Sequence, residues 1–161
     1  MLPTLRRKLE ALAERRDELE RLLSDPATVA DQGRFRADLS DLEGLGYSVE
    51  SLANALPALE GRIGAVARPE EQPLAALNTM LFEDGLVVTV PAGVEGGVLD
   101  LLSFASPTER PSAFHPRHLV RLEAGASLTL IETATGPEGA RYLHNPVFEI
   151  EVGEGATLAH A

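Results

Sequence analysis

At 161 residues the chain is long enough for one domain with its own core, and an aromatic content of 4% makes that core aliphatic. The formal net charge is −11, and it is unevenly placed: residues 1–32 carry six basic and seven acidic side chains, the remainder eight and eighteen. So acidic a C-terminal part repels phosphate backbones, which argues against nucleic-acid binding, and the lack of any cysteine removes disulfides, thiolate metal sites and a cysteine nucleophile.

No apolar run approaches the roughly 18 residues of a membrane span, and the charged N-terminus has no signal-peptide core, so no membrane partner and a cytoplasmic location are expected. Residues 4–23 predict an amphipathic helix. Leu5, Leu9, Leu12, Leu19 and Leu23 form its apolar stripe, with Glu14, Glu18, Arg15 and Arg16 among the remaining helix-forming residues. Pro3 suits its first turn, and Ser24-Asp25-Pro26 stops it and caps a short second helix over 27–31. Packing of the stripe on some other surface accounts for every residue in this segment.

Lys8-Leu-Glu-Ala-Leu-Ala-Glu-Arg15, Leu22-Leu-Ser-Asp-Pro26 and Arg34-Phe-Arg-Ala37 resemble the start of a bacterial class-one peptide chain release factor. That family works through a stop-codon-reading tripeptide and a Gly-Gly-Gln loop, and neither motif is present in this sequence. Termination activity is therefore not implied.

From Gly33 to Gly46 the chain is turn-rich and acidic. A short strand at 47–49 leads into a predicted helix over 50–56, with a further helical piece over 57–63. Residues 68–73 read as an exposed connector. Leu74, Leu77, Leu81 and Phe82 mark one apolar side of a helix over 74–82, ended by Glu83-Asp84-Gly85.

A repeat follows. Leu119-Val-Arg-Leu and Ser127-Leu-Thr-Leu-Ile flank a corner at Gly125, and the same pattern recurs around Gly93 upstream and Gly155 downstream. Gly125-Ala-Ser-Leu and Gly155-Ala-Thr-Leu are nearly the same tetrapeptide. A period of this length predicts a solenoid of stacked β-coils, with the preceding helix as its cap and a β-sandwich as the alternative.

Ala75-Ala-Leu-Asn-Thr-Met-Leu-Phe-Glu-Asp-Gly85, Val90-Pro-Ala-Gly-Val94, His115-Pro-Arg-His-Leu-Val120, Leu122-Glu-Ala-Gly-Ala-Ser-Leu-Thr-Leu-Ile-Glu132 and Phe148-Glu-Ile-Glu-Val-Gly-Glu-Gly-Ala-Thr-Leu-Ala-His160 are similar to the SufD family. The likeness runs in order from Gly33 to Ala161. It implies a scaffold of the SUF iron–sulfur assembly system, with a right-handed parallel β-helix and with SufB and SufC as partners. The expected fold class is therefore α+β: N-terminal helices followed by the first coils of a right-handed parallel β-helix (a solenoid). The expected divisions are 1–32 (release-factor-like), 33–73 (SufD-like helices and turns) and 74–161 (partial β-helix). The two resemblances meet at residues 33–37, which leads to the expectation of a chimera, cut off within the β-helix.

Few residues invite a chemical reading. His115, His118, His144 and His160 with acidic neighbours are metal-ligand types, but positions 115 and 118 on a strand point to opposite faces. Glu123, Glu132, Glu149 and Glu151 could pair as acid and base, as in β-helix sugar-cleaving enzymes, although only Arg117, Arg121 and Arg141 lie near. The glycine-rich 93–97 stretch lacks the lysine and hydroxyl of a phosphate loop, and Asn78 and Thr79 read as satisfying a helix end or a turn. The expected assignment is no catalytic, cofactor-binding or metal residue and no enzyme activity: a non-catalytic SufD-like scaffold, with the iron–sulfur cluster assembled by the parent complex. The alternatives are a release-factor-derived fragment linked to translation termination, docking on a ribosome or release-factor partner through residues 1–32, and a β-helix carbohydrate-active enzyme.

Overall fold

The computed structural model describes residues 44–105, 111–136 and 138–161. The helices expected over 4–23 and 27–31 lie outside the described residues. In chain order come β1 (Ser48–Ser51), α1 (Leu52–Ala55), a 3-10 turn (Leu56–Ala58) and α2 (Pro73–Leu81). Strands follow: β2 (Leu86–Val90), β3 (Glu95–Phe104), β4 (Ser112–Phe114), β5 (Arg117–Leu122), β6 (Ser127–Thr135), β7 (Tyr142–His144), β8 (Val147–Val152) and β9 (Thr157–His160). No helix among the described residues is long and apolar enough to cross a membrane.

The strands form three sheets, ordered β1-β2-β5-β8, β3-β6-β9 and β4-β7. Pairing is parallel except at β1, which runs antiparallel to β2 with Ser48 opposite Thr89 and Ser51 opposite Leu86. The first sheet is therefore mixed.

This corrects the expected class. The described residues hold only two short α-helices, of four and nine residues, among strands in separate mixed and parallel sheets. They do not form N-terminal helices followed by a right-handed β-helix, and no solenoid is described. The reason is physical. A sequence period states which strands are equivalent, whereas the arrangement of sheets depends on edge pairings that the period does not contain, such as that of β1. The helical stretch expected over 50–63 shrinks to α1 and the 3-10 turn, because Pro57 removes an amide donor and Gly61 and Gly64 take φ values of 75° and 81°.

The period itself reappears as register. Leu119 on β5 lies opposite Val87 on β2, and Val147 on β8 lies opposite Arg117 on β5, so each strand pairs with its counterpart one repeat away. Gly93, Gly125 and Gly155 take φ values of 71°, 70° and 67°, the left-handed region a glycine enters without penalty. Their corners bond to one another: Gly93 N–H donates to Ala124 O at 3.0 Å, and Gly125 N–H to Glu154 O at 2.9 Å.

The main core lies between the first two sheets, with Val88, Val90, Val120 and Leu122 facing Leu99, Leu101, Leu128 and Leu130. A second cluster covers the other face of the first sheet, where Val87 and Leu119 meet Leu52, Ala55 and Leu59. Burial on both faces is why β2 reads as the unbroken run Leu-Val-Val-Thr-Val rather than an alternation. Asp84 fastens the two layers. Its carboxylate accepts from Ala53 N at 2.8 Å, supplying the N-terminal cap that α1 lacks from its own Ser51.

Candidate functional site

The most polar buried place in the described structure is built on Arg117, at the start of β5. Its side chain is wholly buried and meets the 3%-exposed carboxylate of Glu149, on β8, with Nη2 to Oε1 at 2.7 Å. Burying two charges costs several kcal/mol each unless every polar atom finds a partner. Here the partners are complete. Arg117 Nε also donates to Glu149 Oε1, Nη1 donates to Asn78 Oδ1 and Thr79 Oγ1, and Nη2 donates to Ala67 O. Those contacts use all five guanidinium donors.

The carboxylate is held equally well. Gly64 N–H donates to its Oε1 at 2.8 Å and Val66 N–H to its Oε2 at 3.0 Å, while Ala67 N–H approaches at 3.3 Å. Burial pushes the Glu149 carboxyl up, but the amides of Gly64 and Val66 and the Arg117 guanidinium outweigh it and hold the group below the usual glutamate range. The pair thus clasps the 64–67 segment and helix α2 onto β5 and β8.

Asn78, Asn145 and His115 extend the network. Asn78 Nδ2 donates to Pro116 O and Asn145 O, each at 2.9 Å. Asn145 Nδ2 reaches Leu74 O at 3.1 Å and lies 3.1 Å from His115 Nδ1. Asn78 and Thr79 therefore tie a helix to a sheet, which is more than satisfying the end of their own helix.

The other histidines gather at the interior edge of the sheets. His118 is buried on β5, and its Nδ1 accepts from Leu86 N at 3.2 Å, a role open only to an unprotonated nitrogen. Its ring stacks on Phe148 at 4.6 Å, and Phe148 in turn meets His160 at 4.9 Å. Burial, reinforced by the neighbouring His144 and partly opposed by Asp84, lowers the His118 pKa to about 4. His144 is lowered by burial, against the pull of Glu132. His160 Nε2 sits 3.7 Å from Glu132 Oε2, too far for a direct hydrogen bond.

The structure thus places His115 in the Asn78–Asn145 network, and it links His118 and His160 through Phe148, with His144 beside His118. Among the described residues, no set of three or more histidine, aspartate or glutamate side chains is placed to hold a metal ion. Of the four glutamates, Glu149 and Glu151 line one small pocket with Arg62 and Arg121, while Glu123 and Glu132 lie elsewhere. Glu149 is in the clasp, and Glu151 lies 3.1 Å from Arg62 and 3.9 Å from Arg121. Glu123 accepts from Ala92 N at the corner, and Glu132 faces His160. The Glu149 carboxylate is committed to Arg117 and to backbone amides of the 64–67 segment, and Glu151 faces two arginines. In the 93–97 stretch, Gly93 N–H and Val94 O bond to the next corner, at Ala124 O and Ser127 N.

Sequence reasoning missed the clasp. Glu149 and Glu151 alternate on β8 as a solvated face would, and nothing in that alternation shows that the 64–67 segment covers one and leaves the other half-exposed. The available signal was Arg117 itself, a charge opening a strand whose Leu119, Val120 and Leu122 are apolar and buried.

Two comparisons with known proteins bear on the chain. Residues 104–161 match the family model for the SUF system FeS cluster assembly, SufBD core domain. That stretch contains β4 to β9, and with them both members of the clasp and all four histidines. At the level of the family, the match associates this part of the chain with SUF iron–sulfur cluster assembly. The N-terminal part is similar to peptide chain release factor 1 of Xylella fastidiosa (strain 9a5c), with 58% identity over 53 residues. The alignment covers 33% of this chain and 15% of the release factor, so the chain spans only a small part of that relative. Both expected resemblances are thereby found, each in its own part of the sequence.

Proposed function

We propose that the chain acts as a non-catalytic, SufD-type scaffold element of the SUF iron–sulfur assembly system, with SufB-like and SufC-like subunits as its partners. The observation that carries this reading is the SufBD core match over 104–161. The local chemistry supports it: the buried charges of that stretch, Arg117 and Glu149, are consumed in holding elements together. The cluster is then cargo of the assembled complex, and this chain contributes surface and rigidity. Pull-down of SufB-like and SufC-like subunits on the immobilised full chain tests the reading. Retention of either supports it, and passage of both through the column sinks it.

A second reading rests on the release-factor similarity alone: residues 1–32 dock on the ribosome. It predicts co-sedimentation with ribosomes that disappears when residues 1–32 are deleted.

A further inference from the structure

Helix α2 sits on the sheet inside out. The residues it buries are Ala75 and Asn78, and Asn78 faces inward because the clasp needs its amide. Its large apolar side chains are left outside: Leu74 is 64% exposed, Met80 80% and Leu81 50%, with Leu77 between them half-buried. At 3.6 residues per turn these four positions form one continuous stripe beside the buried face. Single exposed leucines are ordinary, but three large apolar side chains side by side on a nine-residue helix mark an interaction surface.

We propose that this stripe is the docking surface for the chain's own N-terminal segment, engaged through Leu5, Leu9 and Leu12. Spacing, reach and charge each point to that occupant. Leu74, Leu77 and Leu81 span two helical turns, as do Leu5, Leu9 and Leu12. The helix that the spacing of residues 4–23 predicts would present a stripe of the same span, about 10 Å, to interdigitate with that of α2.

Reach is ample. Ser48 lies opposite Thr89 and Ser51 opposite Leu86, so the chain enters the described fold at the far end of β2 and β1 runs back to Gly85, just beyond the C-terminal end of α2. Residues 24–43 could extend across about 70 Å, far more than the distance to be covered. A tethered segment also acts at an effective concentration of order millimolar, which favours it over a second copy of the chain in dilute solution. The charges agree too. Residues 5–12 carry Arg6, Arg7 and Lys8 against the single acid Glu10, whereas beside α2 Glu70 and Glu83 are exposed and Glu71 is paired with Arg68 at 3.1 Å, which leaves that flank net acidic.

The chain supplies its own probe, because Met80 is its only methionine besides Met1 and it has no cysteine. The full chain and a Leu9→Asp/Leu12→Asp variant are treated with dilute hydrogen peroxide, and sulfoxide at Met80 is followed by peptide mass spectrometry. Docking predicts oxidation about tenfold slower in the unaltered chain, reflecting a docked population of about ten to one. Equal rates overturn the proposal. A Leu9→Cys/Leu77→Cys chain decides independently, should the aspartate variant fail to fold. Under mild oxidation, a disulfide within one monomer supports docking in cis, whereas a disulfide between two chains, or none, overturns it.

Discussion

Arg117 is a charge that this fold accommodates only because every one of its donors finds an acceptor. Removing one partner of such a pair leaves the other buried and uncompensated, at a cost of about 3–5 kcal/mol. Arg117→Met and Glu149→Leu are each expected to destabilise the protein by that amount in urea denaturation. The double variant is expected to lose less than the sum of the two, because neither charge is then stranded.

His118 gives a different signature. Its folded pKa of about 4 lies below the ordinary 6.5, so the unfolded chain takes up the proton first. Stability from the neutral ring is complete above pH 6.5 and is lost progressively as pH falls to about 4, by up to about 3 kcal/mol. His144, lowered in the same direction, adds to the slope. Glu149, held below its ordinary value of 4.5, contributes a loss only at lower pH. His118→Phe keeps the stack on Phe148, and denaturation midpoints measured from pH 7 to 4.5 should fall less steeply in that variant than in the unaltered protein. None of these roles was readable in the sequence. Arg117 appeared there as a nearby base and His118 as a surface or ligand type, because burial depends on what covers a strand.

At the scale of elements, the strands with strong apolar runs were legible, and the short ones were not. β2, β5, β6 and β8 fall where aliphatic and β-branched residues cluster beside glycine corners. β4 and β7 are three residues each, Ser-Ala-Phe and Tyr-Leu-His, too short to show a period, and they exist through pairing with each other. Helix α2 was legible in position but not in orientation, because its buried face is chosen by the Asn78 amide and not by its leucines. Among the described glycines the tightest surroundings are those of Gly85, just before β2, where an added Cβ would collide with the backbone carbonyl of Arg117. Gly85→Ala must push β2 away from β5 at the point where the clasp begins. A loss of about 3 kcal/mol is expected in thermal or chemical melts.

At the scale of the whole molecule, the sequence period survives as pairing register, with β5 set against β2 and β8 against β5 one repeat apart, but it did not determine how the sheets are arranged. β1 caps one edge antiparallel and makes that sheet mixed, and its polar sequence Ser-Val-Glu-Ser gave no warning of this pairing. The molecule that results uses its buried polar chemistry to hold the 64–67 segment, α2, β5 and β8 in one frame. That use fits a part that presents surface to other subunits. The central claim, partnership within SUF assembly, is tested most directly by light scattering of the full chain mixed with a purified SufB-like subunit during size exclusion. The account predicts a complex at the summed mass, weakened when Arg117→Met loosens the frame. Elution of both proteins at their separate masses, at concentrations where the chain is folded, would contradict it.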